Sequence, residues 1–201
     1  LDYLDAENLS ENTLVVYTSD QGFYLGEHGW FDKRFMYNES FKTPLLIRWP
    51  NVITPNTTED EMVQNLDFAQ TFLEAAQVEA PKDMQGESLM PLLNIEKDTS
   101  KRDAVYYHYY EYPAEHDVKR HYGIATKMYK LMHFYYDVDQ WELYDLENDA
   151  TETNNVYNEP EYQEIVTEMK IKLKQTREKY KDSEALSNQY INLYKEKGYI
   201  E

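Results

Sequence analysis

The sequence predicts an α/β chain whose last part becomes a small α+β unit, an antiparallel sheet closed by a helix. Three observations carry this. Two short apolar runs, residues 12–18 and 44–49, read as buried strands. Apolar residues at helical spacing follow, with Met62, Val63, Leu66, Ala69, Phe72, Leu73 and Ala76 on one face. Beyond residue 101 the chain turns Tyr-rich, with weak alternation and one strongly amphipathic stretch. Two domains are expected, 1–100 and 101–201, divided at the polar residues 98–102.

In chain order, residues 1–12 read as the end of a helix and a turn. The strand over 12–18 stops at Ser19-Asp20-Gln21-Gly22. Gly22, Gly26 and Gly29 punctuate a loop long enough to be a functional candidate. Residues 35–42 suggest a short helix, and 44–49 a second strand closed by Pro50. A helix over 59–76 starts with acids, which suits its dipole. Residues 81–91 form a loop, and 89–93 a short apolar turn. Residues 104–112 alternate weakly, 121–126 and 128–135 suggest two strands around a tight turn, and 140–145 is a further strand. A polar stretch follows over 147–155. Tyr162, Ile165, Val166, Met169, Leu173 and Thr176 mark one face of a helix over 160–180, and 182–201 reads as a polar surface tail.

The 201 residues carry a net charge of −18, with a pI near 4.6. Such a chain repels nucleic-acid phosphate and anionic membranes, so no nucleic-acid partner is expected. It also repels a polyanionic substrate unless the site brings local cations. Twenty tyrosines suit strands and sugar- or partner-facing surfaces. The absence of cysteine excludes disulfides, thiolate metal sites and a Cys nucleophile. No apolar run approaches the ~18 residues of a membrane span. Leu1-Asp2-Tyr3 opens without an initiator Met or a signal peptide, and is read as part of a longer protein.

Chemistry concentrates in the first segment. Asp20 and Gln21 offer a carboxylate and an amide oxygen where a strand ends, donors that suit a hard cation such as Ca²⁺. Alone, the pair reads equally as a turn with an Asp cap. His28 between Gly26 and Gly29 reads as a loop histidine, and Lys33 after Asp32 as a solvated ion pair. In a partly closed site, a lysine ammonium instead holds a tetrahedral anion as a point charge.

Taken together these residues resemble the sulfatase family of the alkaline-phosphatase-like superfamily. The likeness lies in Thr18-Ser19-Asp20-Gln21-Gly22 after a strand and in Gly26-Glu27-His28-Gly29-Trp30. It extends to a lysine thirteen positions after the aspartate, and to Thr43-Pro44-Leu45-Leu46-Ile47 opening the next strand. Asn65-Leu66-Asp67 and Met84-Gln85-Gly86-Glu87-Ser88-Leu89 continue it, as apparent structural residues. Tyr129-Lys130-Leu131 and Trp141-Glu142-Leu143-Tyr144-Asp145-Leu146 resemble the C-terminal subdomain of bacterial carbohydrate sulfatases.

The resemblance implies the C-terminal part of an alkaline-phosphatase-like sandwich followed by that subdomain. It implies a fragment of a sulfuric ester hydrolase with a sulfated saccharide as substrate. Asp20 and Gln21 become Ca²⁺ ligands, Lys33 a sulfate contact, and His28 a residue near the substrate. Gln21 replaces the more usual Asn or His. The variant looks like sulfatases similar to N-acetylglucosamine-6-sulfatase, iduronate-2-sulfatase and arylsulfatase. The resemblance implies export to the periplasm or outside the cell.

The family nucleophile, a formylglycine made in a Cys/Ser-x-Pro-x-Arg motif, has no counterpart in this sequence. Nor does the family's first acidic pair of calcium ligands. The missing N-terminal part of the same enzyme is therefore the expected partner, and the isolated chain is expected to be inactive. His116, Arg120 and His121 sit in a Tyr-rich stretch and are candidate substrate-binding residues, since sulfated sugars call for cations and aromatic faces. Solvated charges among packing tyrosines explain that stretch equally well. Two other readings stay open. One is a phosphodiesterase or phosphonate hydrolase of the same superfamily, which would favour transition-metal ligands. The other is a non-catalytic sugar-binding module.

Overall fold

The computed structural model describes residues 1–93, 102–113 and 115–200. In chain order these form α1 (Asp2–Ala6), β1 (Val15–Thr18), β2 (Tyr24–Leu25), β3 (Phe31–Asp32), α2 (Asn38–Phe41), β4 (Leu45–Arg48), α3 (Asp67–Ala75) and α4 (Met90–Leu93). Then come β5 (Val105–Tyr109), β6 (His121–Ala125), β7 (Tyr129–Phe134), β8 (Gln140–Asp145), α5 (Gln163–Lys179) and α6 (Glu184–Glu196). The chain divides into two compact units, residues 1–20 with 43–102 and residues 21–42 with 103–201. Most of the expected boundary over 98–102 lies outside the described residues.

In the first unit β1 pairs antiparallel with β4, with Tyr17 opposite Leu46. Both strands were expected to be buried. Instead Tyr17 and Leu46 are 64% and 66% exposed, because among the described residues this ribbon has only two strands and nothing covers that face. The helix expected over 59–76 is shorter, beginning at Asp67. The reason is tertiary. The wholly buried Asp67 carboxylate accepts from the Gln64 and Glu87 amides at 2.7 and 2.9 Å and from both Arg102 amino groups at 2.6 and 2.8 Å. These ties fix the first turn and leave residues 59–65 outside the helix.

The second unit is built on the antiparallel sheet β5-β6-β7-β8. On one face, Ile124, Leu131 and Leu143 pack against Val166, Met169 and Leu173 of α5 and Ile191 of α6. On the other, Met132, Phe134, Ala125 and Tyr144 pack against Met36, with Phe35, Tyr37 and Phe41 beside it. Both faces are thus covered, which explains why β6 and β7 are almost fully buried rather than alternating.

The expected polar tail over 182–201 is a helix. The Ser183 hydroxyl caps α6 by accepting from the Leu186 amide at 3.2 Å, and Ile191 is buried under it. Three apolar anchors in a polar stretch hide the periodicity. The helix expected over 35–42 shrinks to α2, because Phe35, Met36 and Tyr37 are taken up in packing on the sheet's second face before it begins.

Candidate functional site

Residues 21–42 are held on the sheet by a buried ion pair. Lys130 on β7 reaches Glu152 at 2.6 Å, and both side chains are essentially inaccessible. The Lys130 ammonium also donates to the Met36 carbonyl at 2.8 Å and to Asn38 Oδ1 at 3.0 Å, while Glu152 Oε2 accepts from the Asn38 amide at 2.7 Å. Burial lowers the lysine's affinity for its proton, and Glu152 opposes that by stabilising the charged form. Gly22 lies so close to the Glu39 carbonyl that any added Cβ would sit 1.9 Å from its oxygen. Its amide donates to Ser40 O at 2.8 Å.

The short hairpin β2–β3, paired Tyr24 to Asp32, displays the candidate residues. His28 sits at its tip with φ +54°, in the left-handed region. That backbone turns the imidazole back onto the Tyr37 ring, stacked at 4.1 Å and 12°. Tyr37 is itself fixed by its hydroxyl donating to Glu142 at 2.8 Å. His28 Nε2 lies 3.2 Å from Glu39 Oε2.

Lys33 is half-buried, and among the described residues its ammonium makes no hydrogen bond or ion pair. Its neighbours are engaged. Arg34 Nη1 lies 2.5 Å from Asp32 Oδ2 and Nη2 donates to His116 Nε2 at 2.6 Å. A guanidinium only donates, so the neutral His116 ring carries its proton on Nδ1, which faces Asp32 at 3.7 Å. The structure therefore brings the expected substrate contact His116 to the residues on either side of the expected sulfate contact Lys33.

Arg120 and His121 are placed differently, for both are fully buried. Arg120 donates to Asp137 at 3.0 Å and to the Tyr110 carbonyl at 3.1 Å, among the rings of Tyr112, Tyr136 and Tyr194. His121 Nδ1 donates to Lys119 O at 2.8 Å, between Phe35, Tyr107 and Phe134. Burial pushes the His121 ring down to about 4, so it is uncharged at neutral pH.

Asp20 closes the first unit and Gln21 opens the second. The Asp20 side chain is exposed, with Ser19 Oγ 3.3 Å from Oδ1, and Asn65 Nδ2 donates to its main-chain carbonyl at 2.5 Å. Their oxygens are of the right chemistry for a hard cation, but two residues do not fill its six to eight positions. No group of three or more His, Cys, Asp or Glu residues suited to a metal occurs among the described residues. Arg34 and Glu39 were not singled out from the sequence, and Asp32 was read only as the ion-pair partner of Lys33, whereas it engages Arg34. Arg34 and Asp32 flank the motif lysine, a local signal, whereas Glu39 is eleven residues from His28 and has none.

This chain is similar to known proteins over most of its length. Residues 26–179 match the family model described as N-sulphoglucosamine sulphohydrolase, C-terminal. An N-acetylglucosamine-6-O-sulfatase of Bacteroides thetaiotaomicron is 53% identical over 92% of this chain and 33% of its own length. A human N-acetylglucosamine-6-sulfatase is 38% identical over 49% of this chain and 18% of its own. A solved structure in complex with its substrate D-glucosamine-2-N,6-O-disulfate superposes with a TM-score of 0.87 at 52% identity, covering 92% of this chain and 38% of that one. The chain spans about a third of the length of the first curated relatives it matches. With the family model covering most of its length and that strong an identity, the chain belongs to the sulfatase family and corresponds to its C-terminal portion, of the alkaline-phosphatase-like fold.

Proposed function

We propose that this chain supplies part of the active site of a sulfatase that hydrolyses a sulfate ester on a glucosamine-type sugar. The remainder of the site, including the nucleophile, lies outside these 201 residues. The observation that carries the proposal is the half-buried residue Lys33, its ammonium without a protein partner among the described residues and its chain neighbours both facing His116. The relatives' names support the substrate class.

In this reading Lys33 binds the sulfate oxygens as a point charge. That local cation answers the net negative field of the chain. His28 transfers a proton to the departing sugar oxygen. His116, braced by Arg34 and Asp32, meets the sugar, while Arg120 and His121 stiffen the sheet behind it. Asp20 and Gln21, with donors from outside this chain, would hold a calcium ion, which when bound neutralises charge on the sulfate. The domain boundary near residue 100 is retained as a proposal for where the catalytic part gives way to the C-terminal subdomain.

The test is sulfate release from glucosamine 6-O-sulfate by the full-length polypeptide, with and without a calcium chelator. Lys33→Ala is expected to lower kcat/KM about 100-fold or more, the usual consequence of losing one charge-stabilising donor. A variant as active as the parent would refute the assignment.

A further inference from the structure

His28 and Glu39 form an imidazole–carboxylate pair in the same compact unit as Lys33 and His116. The side chains are 14% and 22% exposed, so the contact is largely shielded from water. A carboxylate only accepts, so the ring hydrogen between them belongs to Nε2. Among the described residues Nδ1 has no hydrogen-bond partner. Four groups face the ring. Tyr37 stacks on it and Tyr24 meets it edge-on at 6.1 Å. The Glu27 carboxylate is turned to its own hairpin, accepting from the Leu25 amide at 2.6 Å, which leaves Glu39 as the carboxylate on the ring nitrogen.

Glu39 is itself anchored without help from His28. It lies on α2, whose first amide is bonded to the buried Glu152. Ser40 Oγ, next in the chain, accepts from the Arg34 amide at 3.0 Å.

We propose that Glu39 is the positioning residue for His28, fixing its proton on Nε2 and presenting Nδ1 to the leaving oxygen of the sulfated sugar. The proposal rests on the sulfatase reading above. The charged ring carries a proton on each nitrogen. As the sulfur–oxygen bond to the sugar breaks, and a new one forms on the opposite side of sulfur, the electron pair passes to the sugar oxygen. That oxygen takes the Nδ1 proton, and the ring returns to the neutral form with its hydrogen shared with Glu39.

The experiment pairs a spectroscopic readout with a kinetic one. Ring ¹⁵N–¹H correlations of His28 report the tautomer in this chain and in its Glu39→Gln and Glu39→Ala variants. The full-length polypeptide and the same variants are assayed on glucosamine 6-O-sulfate and on 4-nitrophenyl sulfate, whose phenolate departs without a proton. In both variants the ring is expected to lose its pure Nε2–H form. The sugar sulfate should lose about 10–100-fold in kcat, the usual cost of removing a carboxylate that orients a functional histidine. The aryl sulfate should be little affected, KM should hold, and Glu39→Asp should restore most of the rate. A tautomer unchanged in both variants, or equal losses on the two substrates, would overturn the role. If the unmodified protein releases sulfate from neither substrate, the sulfatase reading falls, and the tautomer alone then decides what Glu39 does.

Discussion

The His121 ring sits wholly inside the protein, and burial, which disfavours its charged form, pushes it down to about 4 from an ordinary 6.5. Between those values the unfolded chain binds the proton and the folded one does not. Stability is therefore complete above about pH 6.5 and falls as pH drops towards 4, by roughly 3 kcal/mol from this ring. His108 and His133 are displaced downward by burial as well and add to the same trend. Urea titrations at pH 7 and pH 4.5 are expected to show the loss. His121→Leu should flatten it, and an unaltered pH slope in that variant would remove His121 as the source. Arg120 and His121 also show how a sequence misleads at this scale. Cations among tyrosines suggest a sugar pocket, yet the same composition describes a core in which rings stack on a buried guanidinium and an uncharged imidazole. Composition does not distinguish the inside of an aromatic layer from its outside.

At the scale of elements, the piece that orders the site is the Lys130–Glu152 strut, which ties β7 to the backbone before α2. Lys130→Met leaves the Glu152 carboxylate buried with only an amide donor, at an expected cost of about 3–5 kcal/mol. Pairing it with Glu152→Gln should recover part of that loss. Denaturation of the two single variants and the double variant measures the coupling, and strictly additive losses would show that the pair does not act as a unit. A second tie joins the α5–α6 turn to β5. Burial raises the Asp182 carboxyl, but hydrogen bonds from His108 and Tyr106 outweigh it and hold the group well below the usual carboxylate range. Neither tie was legible in the sequence, since the partners lie 22 positions apart in one case and more than 70 in the other. What was legible depends on periodicity. β8 has the expected bounds, 140–145, and α5 buries Val166, Met169 and Leu173 from the expected face. α6 escaped because only sparse apolar anchors mark it, and α3 lost its first two turns to the carboxylate of Asp67.

For the molecule as a whole, the strand-end motif and the Tyr-rich sheet were sufficient to identify the family, because both are local patterns. The partners that surround each candidate side chain were not, because they come from folding. A nucleophile motif is absent from all 201 residues, so this chain alone, given calcium and a chromogenic aryl sulfate, is expected to show no turnover. Rapid hydrolysis by the isolated chain would remove the proposal that the nucleophile lies elsewhere. The β1–β4 ribbon has a separate consequence. Among the described residues each of its strands is paired on one side only, next to a tyrosine and a leucine in open water. At high concentration, copies of this chain are therefore expected to pair strand against strand at that ribbon, a tendency its net charge of −18 opposes.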